Sequence, residues 1–205
     1  RLVADHETYA RIIAELGGRG NMEAESLRSI CISAERSERI ASSAHSSLGA
    51  PLGEGDLEAL RELAERILKL YEYRRHLEDY LSALMEEVAP NLSRVAGSIL
   101  AAKLVERAGG LRRLAMMPSS KIQLLGAEKA LFRALRRGAK MPKHGLIFQH
   151  PLIHRSPKAL RGKAARLLAS KLALAARADA FTGAMMGDRL RDELERELRD
   201  LRKNR

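Results

Sequence analysis

Four basic residues in the second half of the sequence are spaced to form one charged face of a helix. They are Lys129, Arg133, Arg136 and Arg137, at i, i+4, i+7 and i+8. The apolar residues Leu131, Phe132 and Leu135 belong to the other side of this helix, and Glu128 is its only acid. Such a stripe can bind phosphate groups, or it can be a solvated surface. Because so little acid compensates the charge, we favour contact with a nucleic acid.

The start of the same helix could also receive an anion. It begins at Gly126, where no side chain blocks a close approach and where the first N–H groups have no partner within the helix. Lys121 and Gln123 lie just before it. A phosphate could therefore meet a helix N-terminus and a cationic stripe together.

A second basic face is predicted on the helix that follows Pro157. It comprises Lys163, Arg166, Ser170 and Arg177, flanked by Lys158 and Arg161. The loop between the two helices adds the polar and basic side chains of Lys140, Lys143, His144, Gln149, His150 and Arg155. Phe148 is the only phenyl ring of this loop, so recognition should depend on backbone shape and a few polar contacts rather than on base stacking.

The motifs of common catalytic sites are not found in the sequence. It has no Walker phosphate loop, no Gly-x-Gly-x-x-Gly, no His-Glu-x-x-His and no Gly-x-Ser-x-Gly. His144, His150 and His154 form the only histidine cluster, and Pro151 keeps the last two off one helical turn, which disfavours a metal site. The single Cys31 excludes a disulfide framework and is expected to be a buried, inert thiol. We therefore expect neither an enzyme nor a bound cofactor.

Charge is divided unevenly along the 205 residues. Residues 1–90 hold 11 Lys/Arg and 17 Asp/Glu, whereas residues 91–186 hold 19 Lys/Arg and 3 Asp/Glu, a net charge of +16. Such a concentration repels itself unless an anionic partner lies beside it, and nucleic acid is the leading candidate. A membrane surface is the competing partner, although no apolar run of about 18 residues predicts a membrane span.

These residues are positioned by helices, and we predict an all-α fold. Apolar residues make up 45% of the chain but aromatic residues only 3%, which suits packed helices better than β-sheets. In the first part, residues 1–90, the patterns predict helices over 1–16, 22–46 and 57–87. The last two should fold back as a long antiparallel coiled-coil hairpin.

The hairpin should need a partner, since two helices bury only one stripe each. A second copy of the chain is the simplest one, and the contacts expected to carry dimerisation are Leu60, Ala64, Ile67 and Tyr71. The alternative is packing on an N-terminal part, because the sequence starts with Arg rather than Met and is expected to be a fragment.

The pattern of residues 91–205 predicts a compact helical domain. Asn91 is expected to cap a helix over 92–108, and a short helix over 111–115 precedes a connector over 119–125. Further helices are expected over 127–137, from Pro157 to about residue 180, and over 188–203, and the segment 139–155 is expected to be a loop.

Several stretches, in order, resemble the Nop-domain family. They are residues 125–133 (LGAEKALFR), 142–151 (PKHGLIFQHP), 162–172 (GKAARLLASKL) and 175–181 (AARADAF), with 68–74 (LKLYEYR) and 89–92 (APNL) resembling the family's coiled-coil part. The Gln149-His150-Pro151 form is similar to archaeal members, which are core proteins of box C/D guide ribonucleoproteins.

The resemblance implies a scaffold without catalytic activity. In that family the Nop domain binds a kink-turn RNA together with a small kink-turn-binding protein of ribosomal type, and the coiled coil pairs two copies. A further N-terminal domain, expected to be absent here, holds fibrillarin, which performs 2′-O-methylation with S-adenosylmethionine. The Gly-Ala-Glu-Lys segment and the following loop reach the RNA in the family. The RNA contacts expected here are Lys121, Gln123, Gly126, Ala127, Glu128, Lys129, Arg133, Lys140, Lys143, Gln149, His150, Arg161, Lys163 and Arg166.

Three alternatives stay open at the level of the sequence. A spliceosomal relative that recognises a kink-turn small nuclear RNA would be monomeric and nuclear, and sedimentation would distinguish it. A membrane-surface protein would pellet with anionic vesicles, and an enzyme would retain a nucleotide or metal. A box C/D protein is expected in the cytoplasm of an archaeal cell, or in the nucleolus or nucleus of a eukaryotic one.

Overall fold

The computed structural model describes residues 2–30 and 32–203. Within these residues the secondary structure is helical and contains no strand, so the predicted all-α class is confirmed. The chain forms two compact units, residues 1–77 and residues 78–205. The sequence suggests a boundary at residue 90, two residues after the longest helix of the described residues ends at Val88, and this boundary stays a prediction. Cys31, which we expected to be a buried thiol, lies outside the described residues.

Three short helices build the core of the first unit: α1 (His6–Leu16), α2 (Ala24–Ser29) and α3 (Ala34–His45). Ile12 of α1 is buried in one cluster with Leu27, Ile30 and Ile32. The single helix predicted over 22–46 is therefore wrong. Helix α2 ends at Ser29, and α3 begins at Ala34. Ile30 and Ile32, which are two positions apart, could not share one face of a continuous helix, yet both are buried.

A long helix, α4 (Glu54–Val88), follows an exposed turn. Within the first unit α4 runs antiparallel to α1. Arg75 Nη1 lies 2.7 Å from Glu7 Oε1 in the first turn of α1, and Leu57 lies against Gly18, just after the end of α1. These contacts place α1 beside α4. The sequence had predicted that residues 22–46 would be the antiparallel partner of this helix.

The second unit contains eight further helices in its described residues. They are α5 (Pro90–Ala96), α6 (Ser98–Ala108), α7 (Leu111–Met116), α8 (Ser119–Leu124), α9 (Glu128–Arg137), α10 (Pro151–His154), α11 (Arg161–Arg177) and α12 (Gly187–Lys203). A 3₁₀ turn (Leu146–Gln149) precedes α10, and a π-helical turn (Ala178–Thr182) extends α11. The segment 119–125, expected to be a connector, is thus mostly helical.

Helix α11 is the centre of this unit. Its buried face is rich in alanine and also includes Leu168 and Leu172, which are fully buried. Small side chains allow close approach, and α11 contacts α5, α7, α8 and α12. Lys171 joins α11 to α12 because its Nζ lies 2.8 Å from Glu193 and 2.9 Å from Glu197. The buried face of α11 thus packs on four helices, and Lys171 adds ion pairs to α12.

A polar pair, the buried Asn91 and the half-buried Asp179, joins the start of α5 to the segment before α12. Asp179 accepts the backbone N–H groups of Asn91 and Leu92 at 3.0 and 2.8 Å, and Asn91 Oδ1 accepts those of Met186 and Gly187 at 2.7 Å each. Asn91 therefore does not cap the helix predicted over 92–108. That prediction is wrong in a second respect, because the backbone breaks at Gly97 into α5 and α6.

The predicted start of the helix after residue 156 is also wrong. The helix was expected to begin at Pro157, but α11 begins at Arg161. The Ser156 hydroxyl donates to the carbonyl of Leu152 at 2.6 Å. Ser156 thus closes α10, and the chain turns before α11 begins.

Candidate nucleic-acid interface

Helix α9 presents the predicted basic stripe to solvent. Lys129, Arg133, Arg136 and Arg137 are all exposed. The structure describes every residue of this helix, and only Ala134 is buried. The opposite apolar face does not join the core, since Phe132 is 61% and Leu135 is 65% exposed. Ala134 and the half-buried Leu131 leave two large apolar side chains uncovered, so α9 carries a basic and an apolar surface side by side.

The turn before α9 already binds an anionic group, which is the side-chain carboxylate of Glu128. Glu128 Oε1 accepts the backbone N–H of Gly126 at 2.8 Å, and Glu128 Oε2 lies 2.8 Å from Arg107 Nη2. The hydrogen bond from Arg107, opposed by partial burial and supported by the Gly126 N–H, lowers the pKa of Glu128 to about 2. The expectation that a phosphate enters at Gly126 is therefore not met by this conformation.

Backbone hydrogen bonds fasten the loop to this turn. The N–H of Gly145 donates to the carbonyl of Gln123, and the N–H of Leu146 donates to the carbonyl of Leu125, both at 2.8 Å. A Cβ on Gly145 would overlap the Leu125 carbonyl, so only glycine fits there. The side chain of Gln123 donates to the carbonyl of Lys143 at 2.7 Å. Gln123 thus supports the loop, and its predicted contact with RNA stays a prediction.

Rings stack within the loop. His144 lies parallel to Phe148, with 4.5 Å between ring centroids, and the guanidinium of Arg161 lies 5.3 Å from the Phe148 ring. Burial and the positive charge of Arg161 lower the pKa of His144. Arg161 also donates to the carbonyls of Ser156 and His154. Arg161 therefore holds the loop against the start of α11, in addition to any contact with a ligand.

The two neighbours Gln149 and His150 have different environments. His150 is 9% exposed; its Nε2 lies 3.2 Å from the carbonyl of Val95, and its Nδ1 accepts the N–H of Leu152. Both ring nitrogens are engaged, and burial lowers the pKa of His150. The predicted RNA contact by His150 is therefore not supported, because the ring connects α5 to α10. Gln149 is exposed, and its Oε1 accepts from Lys103 Nζ at 2.9 Å.

The other predicted contact residues lie at the surface. Lys121, Lys140, Lys143, Lys163 and Arg166 are exposed, and Ala127 is half-buried before the first turn of α9. Arg177, expected on the same basic face as Lys163, donates to the carbonyl of Ala115 at 3.2 Å, which ties α11 to α7. Which of these residues contact RNA stays a prediction.

Two basic residues that the sequence analysis missed lie at the same surface. Lys103 and Arg107 of α6 line a cavity of about 620 Å³ together with Lys129 and Arg133 of α9. Gly126 and Glu128 belong to its wall as well. The signal was present in the sequence, because two basic residues at i, i+4 on a predicted helix share one face.

The described part of the chain shows neither a cluster of metal-ligating side chains nor a membrane-spanning helix. In residues 2–30 and 32–203, no group of three or more His, Cys, Asp or Glu side chains is arranged to hold a metal ion. Among the helices in these ranges, none is both long and apolar enough to cross a membrane.

Comparison with known proteins identifies a family over almost the whole chain. A family model described as "Nop: snoRNA binding domain, fibrillarin" matches residues 1–200. A NOP5 family protein of Methanocaldococcus jannaschii is 47% identical over 202 residues, which cover 98% of this chain and 48% of that protein. Nucleolar protein 58 of Neurospora crassa is 40% identical over 211 residues, which cover 98% of this chain and 35% of that protein.

A solved structure is similar as well. The crystal structure of a fibrillarin/Nop5p complex contains a chain that is 35% identical, with a TM-score of 0.51, over 94% of this chain and 65% of that one. The present chain therefore spans about half or less of the length of the curated relatives named above.

Proposed function

The chain belongs to the Nop family, and from this premise we propose that it is a non-catalytic scaffold subunit of a box C/D guide ribonucleoprotein. It binds a kink-turn RNA jointly with a small kink-turn-binding protein of ribosomal type. The methyltransferase fibrillarin performs 2′-O-methylation in the same assembly. The observation that carries the proposal is the exposed basic stripe of α9 beside the fastened loop.

The RNA backbone is bound by exposed cations from three segments. They are Lys129 and Arg133 of α9, Lys140 and Lys143 of the loop, and Lys163 and Arg166 of α11. Phosphate contacts of this kind supply affinity and position the RNA without reading its sequence. The hydrogen bonds between the loop and the turn before α9 support this assignment, because they hold two of the segments in one arrangement before RNA arrives.

The kink-turn-binding protein covers the apolar side of α9. Phe132 and Leu135 are large, exposed and adjacent to the phosphate-binding cations. Aromatic and aliphatic side chains that are exposed in a cluster are typical of protein interfaces. A protein that sits on the same RNA next to the stripe would bury both side chains, which is the composite recognition that we propose.

A second copy of the chain pairs along α4, on a different face from the one that the sequence suggested. Of the predicted contacts, Ala64 is buried and Ile67 and Tyr71 are half-buried within the first unit, so that only Leu60 offers an exposed side chain. The large apolar side chains of α4 that are exposed in this unit also include Leu63, Leu70, Tyr73 and Leu77. These four are separated by seven, three and four positions, which is a heptad seam.

The relatives also bear on location. The curated relatives named nucleolar protein 58 point to the nucleolus for eukaryotic members of the family. For an archaeal chain, the corresponding proposal is the cytoplasm.

Reversal of charge on the stripe tests the proposed function. In Lys129→Glu/Arg133→Glu, affinity for kink-turn RNA that already carries its small binding protein should fall roughly a hundredfold, about tenfold for each charge-assisted contact. The dependence of log K on log salt concentration should become shallower by about 1.4 to 1.8, because two phosphate contacts are lost. Gel shifts over a salt series measure both quantities.

The control for this experiment changes the same amount of charge elsewhere. Arg202→Glu/Lys203→Glu alters two exposed basic residues at the end of α12, and it should leave both affinity and salt dependence close to those of the unmodified chain. If the two double variants lose affinity equally, the stripe is not a specific contact surface, and the proposal fails.

A further inference from the structure

Two basic residues of α6 each hold a different segment of the proposed RNA-binding surface. Lys103 Nζ lies 2.9 Å from Gln149 Oε1 at the end of the loop, and Arg107 Nη2 lies 2.8 Å from Glu128 Oε2 at the start of α9. Their i, i+4 spacing puts both side chains on the same face of α6. One helical turn of α6 therefore connects to the two segments through one charge-assisted contact each.

The contact with Lys103 determines which way the Gln149 carboxamide points. An ammonium group only donates hydrogen bonds, so it must face the carbonyl oxygen of the amide. The NH₂ group of Gln149 then points away from Lys103, and the side chain is exposed. A ligand meets two N–H donors at this position, which suits an acceptor such as a phosphate oxygen or a 2′-hydroxyl.

The contact with Arg107 keeps the charge of Glu128 away from the RNA. The carboxylate lies between the guanidinium and the Gly126 N–H, which together satisfy it. Without Arg107, the carboxylate would be free to turn toward the basic residues Lys129 and Arg133, which line the same cavity. A negative charge there would repel a phosphate over a few ångströms.

We propose that Lys103 and Arg107 are positioning residues of the RNA-binding surface, which act through Gln149 and Glu128 rather than by touching phosphate. The inference rests on the proposed function. It goes beyond it by assigning a role to α6, a helix outside the predicted contact segments, and by stating that the surface is set before RNA arrives.

A double-mutant cycle on Lys103 and Gln149 tests the first half of the proposal. In binding to kink-turn RNA that carries its small binding protein, Lys103→Met and Gln149→Ala should each weaken affinity about threefold to tenfold, the effect of one hydrogen bond. The double variant should be no weaker than either single variant, because Lys103 acts only through Gln149. The salt dependence of Lys103→Met should match that of the unmodified chain.

A direct phosphate contact would give the opposite result. The two effects would then add in the double variant, and the salt slope of Lys103→Met would become shallower by about 0.7 to 0.9. Either finding overturns the positioning role. Lys203→Met, which removes one exposed charge on α12, controls for the general loss of charge.

Rescue by a second substitution tests the role of Arg107. Arg107→Met should weaken RNA binding about threefold to tenfold, and Arg107→Met/Glu128→Gln should recover most of this loss, because the freed carboxylate has been neutralised. An Arg107 that binds phosphate itself would show no recovery, and that result would overturn the inference.

A measurement without RNA separates this inference from the proposed function. In an NMR titration of the free chain, the Glu128 carboxyl should protonate near pH 2, and in Arg107→Met its midpoint should rise toward 4.5. An unchanged midpoint means that Arg107 does not hold Glu128, which overturns the inference even if RNA binds. If the unmodified chain fails to bind the RNA complex, the proposed function itself is wrong.

Discussion

Glu128 shows how an acid is accommodated within a strongly basic surface. Its carboxylate is tied to Arg107 and to the Gly126 N–H, and its lowered pKa keeps it ionised at any physiological pH. Because the folded pKa is depressed, this interaction contributes stability above pH 4.5 and loses it as the pH falls toward about 2. The residue therefore shapes the turn before α9.

His150 predicts how stability depends on pH near neutrality. Burial lowers its pKa below 6.5, so the unfolded chain binds this proton more readily than the folded chain does. The contribution of His150 is present above pH 6.5 and is lost as the pH falls through the folded pKa. For each unit by which folding lowers this pKa, we expect the free energy of unfolding to drop by on the order of 1 kcal/mol as the pH falls below the folded pKa.

Urea unfolding of the full chain between about pH 8 and about pH 5 measures this dependence. His150→Gln keeps an N–H donor for Val95 but cannot titrate, so its stability should change less with pH than that of the unmodified chain. His144 also has a lowered pKa, and His144→Gln in the same background accounts for its share. The assignment to His150 is wrong if His150→Gln retains the full pH dependence.

At the scale of elements, the surfaces that α4 and α9 offer to partners are formed by the side chains that the packing of each helix leaves exposed. Helix α9 buries only Ala134, so both of its remaining faces are available. Helix α4 buries Ala64 and half-buries Tyr71, and this face serves the unit's own packing. The large apolar side chains that stay exposed on each helix are those free to meet another molecule.

Substitutions on α4 distinguish the two faces. Leu63→Glu/Leu70→Glu should convert a dimer to a monomer in sedimentation, because two charges would have to be buried in the seam. Thermal stability of the monomer unit should change little, since the two side chains are 55% and 68% exposed. Ile67→Glu, on the half-buried face, should instead lower the unfolding temperature.

Lys69→Glu changes an exposed residue of α4 that lies outside the seam, and it should leave the dimer intact. A doubly substituted chain that still sediments as a dimer would show that the second copy binds elsewhere. An unmodified chain that sediments as a monomer would refute self-association and favour the spliceosomal type of relative.

At the scale of the whole molecule, the two halves of the sequence carry net charges of opposite sign. The acidic excess falls in residues 1–90, and the basic excess falls in residues 91–205. This division suits a scaffold in which one region pairs with protein and the other neutralises RNA phosphates.

Salt dependence of binding tests this division on the complete chain. If the six proposed cations of α9, the loop and α11 each neutralise one phosphate, log K should fall with log salt concentration with a slope of about −4 to −5. Structured kink-turn RNA should bind, and vesicles of anionic lipid should not sediment the chain under the same conditions. Strong pelleting with vesicles, together with a slope near zero on RNA, would favour the membrane-surface alternative.

Local sequence was sufficient for the fold class, the positions of most helices and the exposed basic stripe. Glycine ends helices such as α6 at Gly109 and α9 at Gly138, and residues at i, i+4 share a face in any helix. The family also follows from motifs that lie along the chain in order. These features depend on interactions between residues only a few positions apart, so the sequence alone was enough to determine them.

Tertiary structure alone decided which of these residues face outward and which support others. Gln123 and His150 carry the same polar groups whether they meet RNA or a backbone carbonyl, and only the fold brings Lys143 and Val95 within reach of them. The exposure of Phe132 depends on how little of α9 touches the core. Burial and long-range hydrogen bonding arise when distant segments meet, and the periodicity of one segment contains no information about the surface that will cover it.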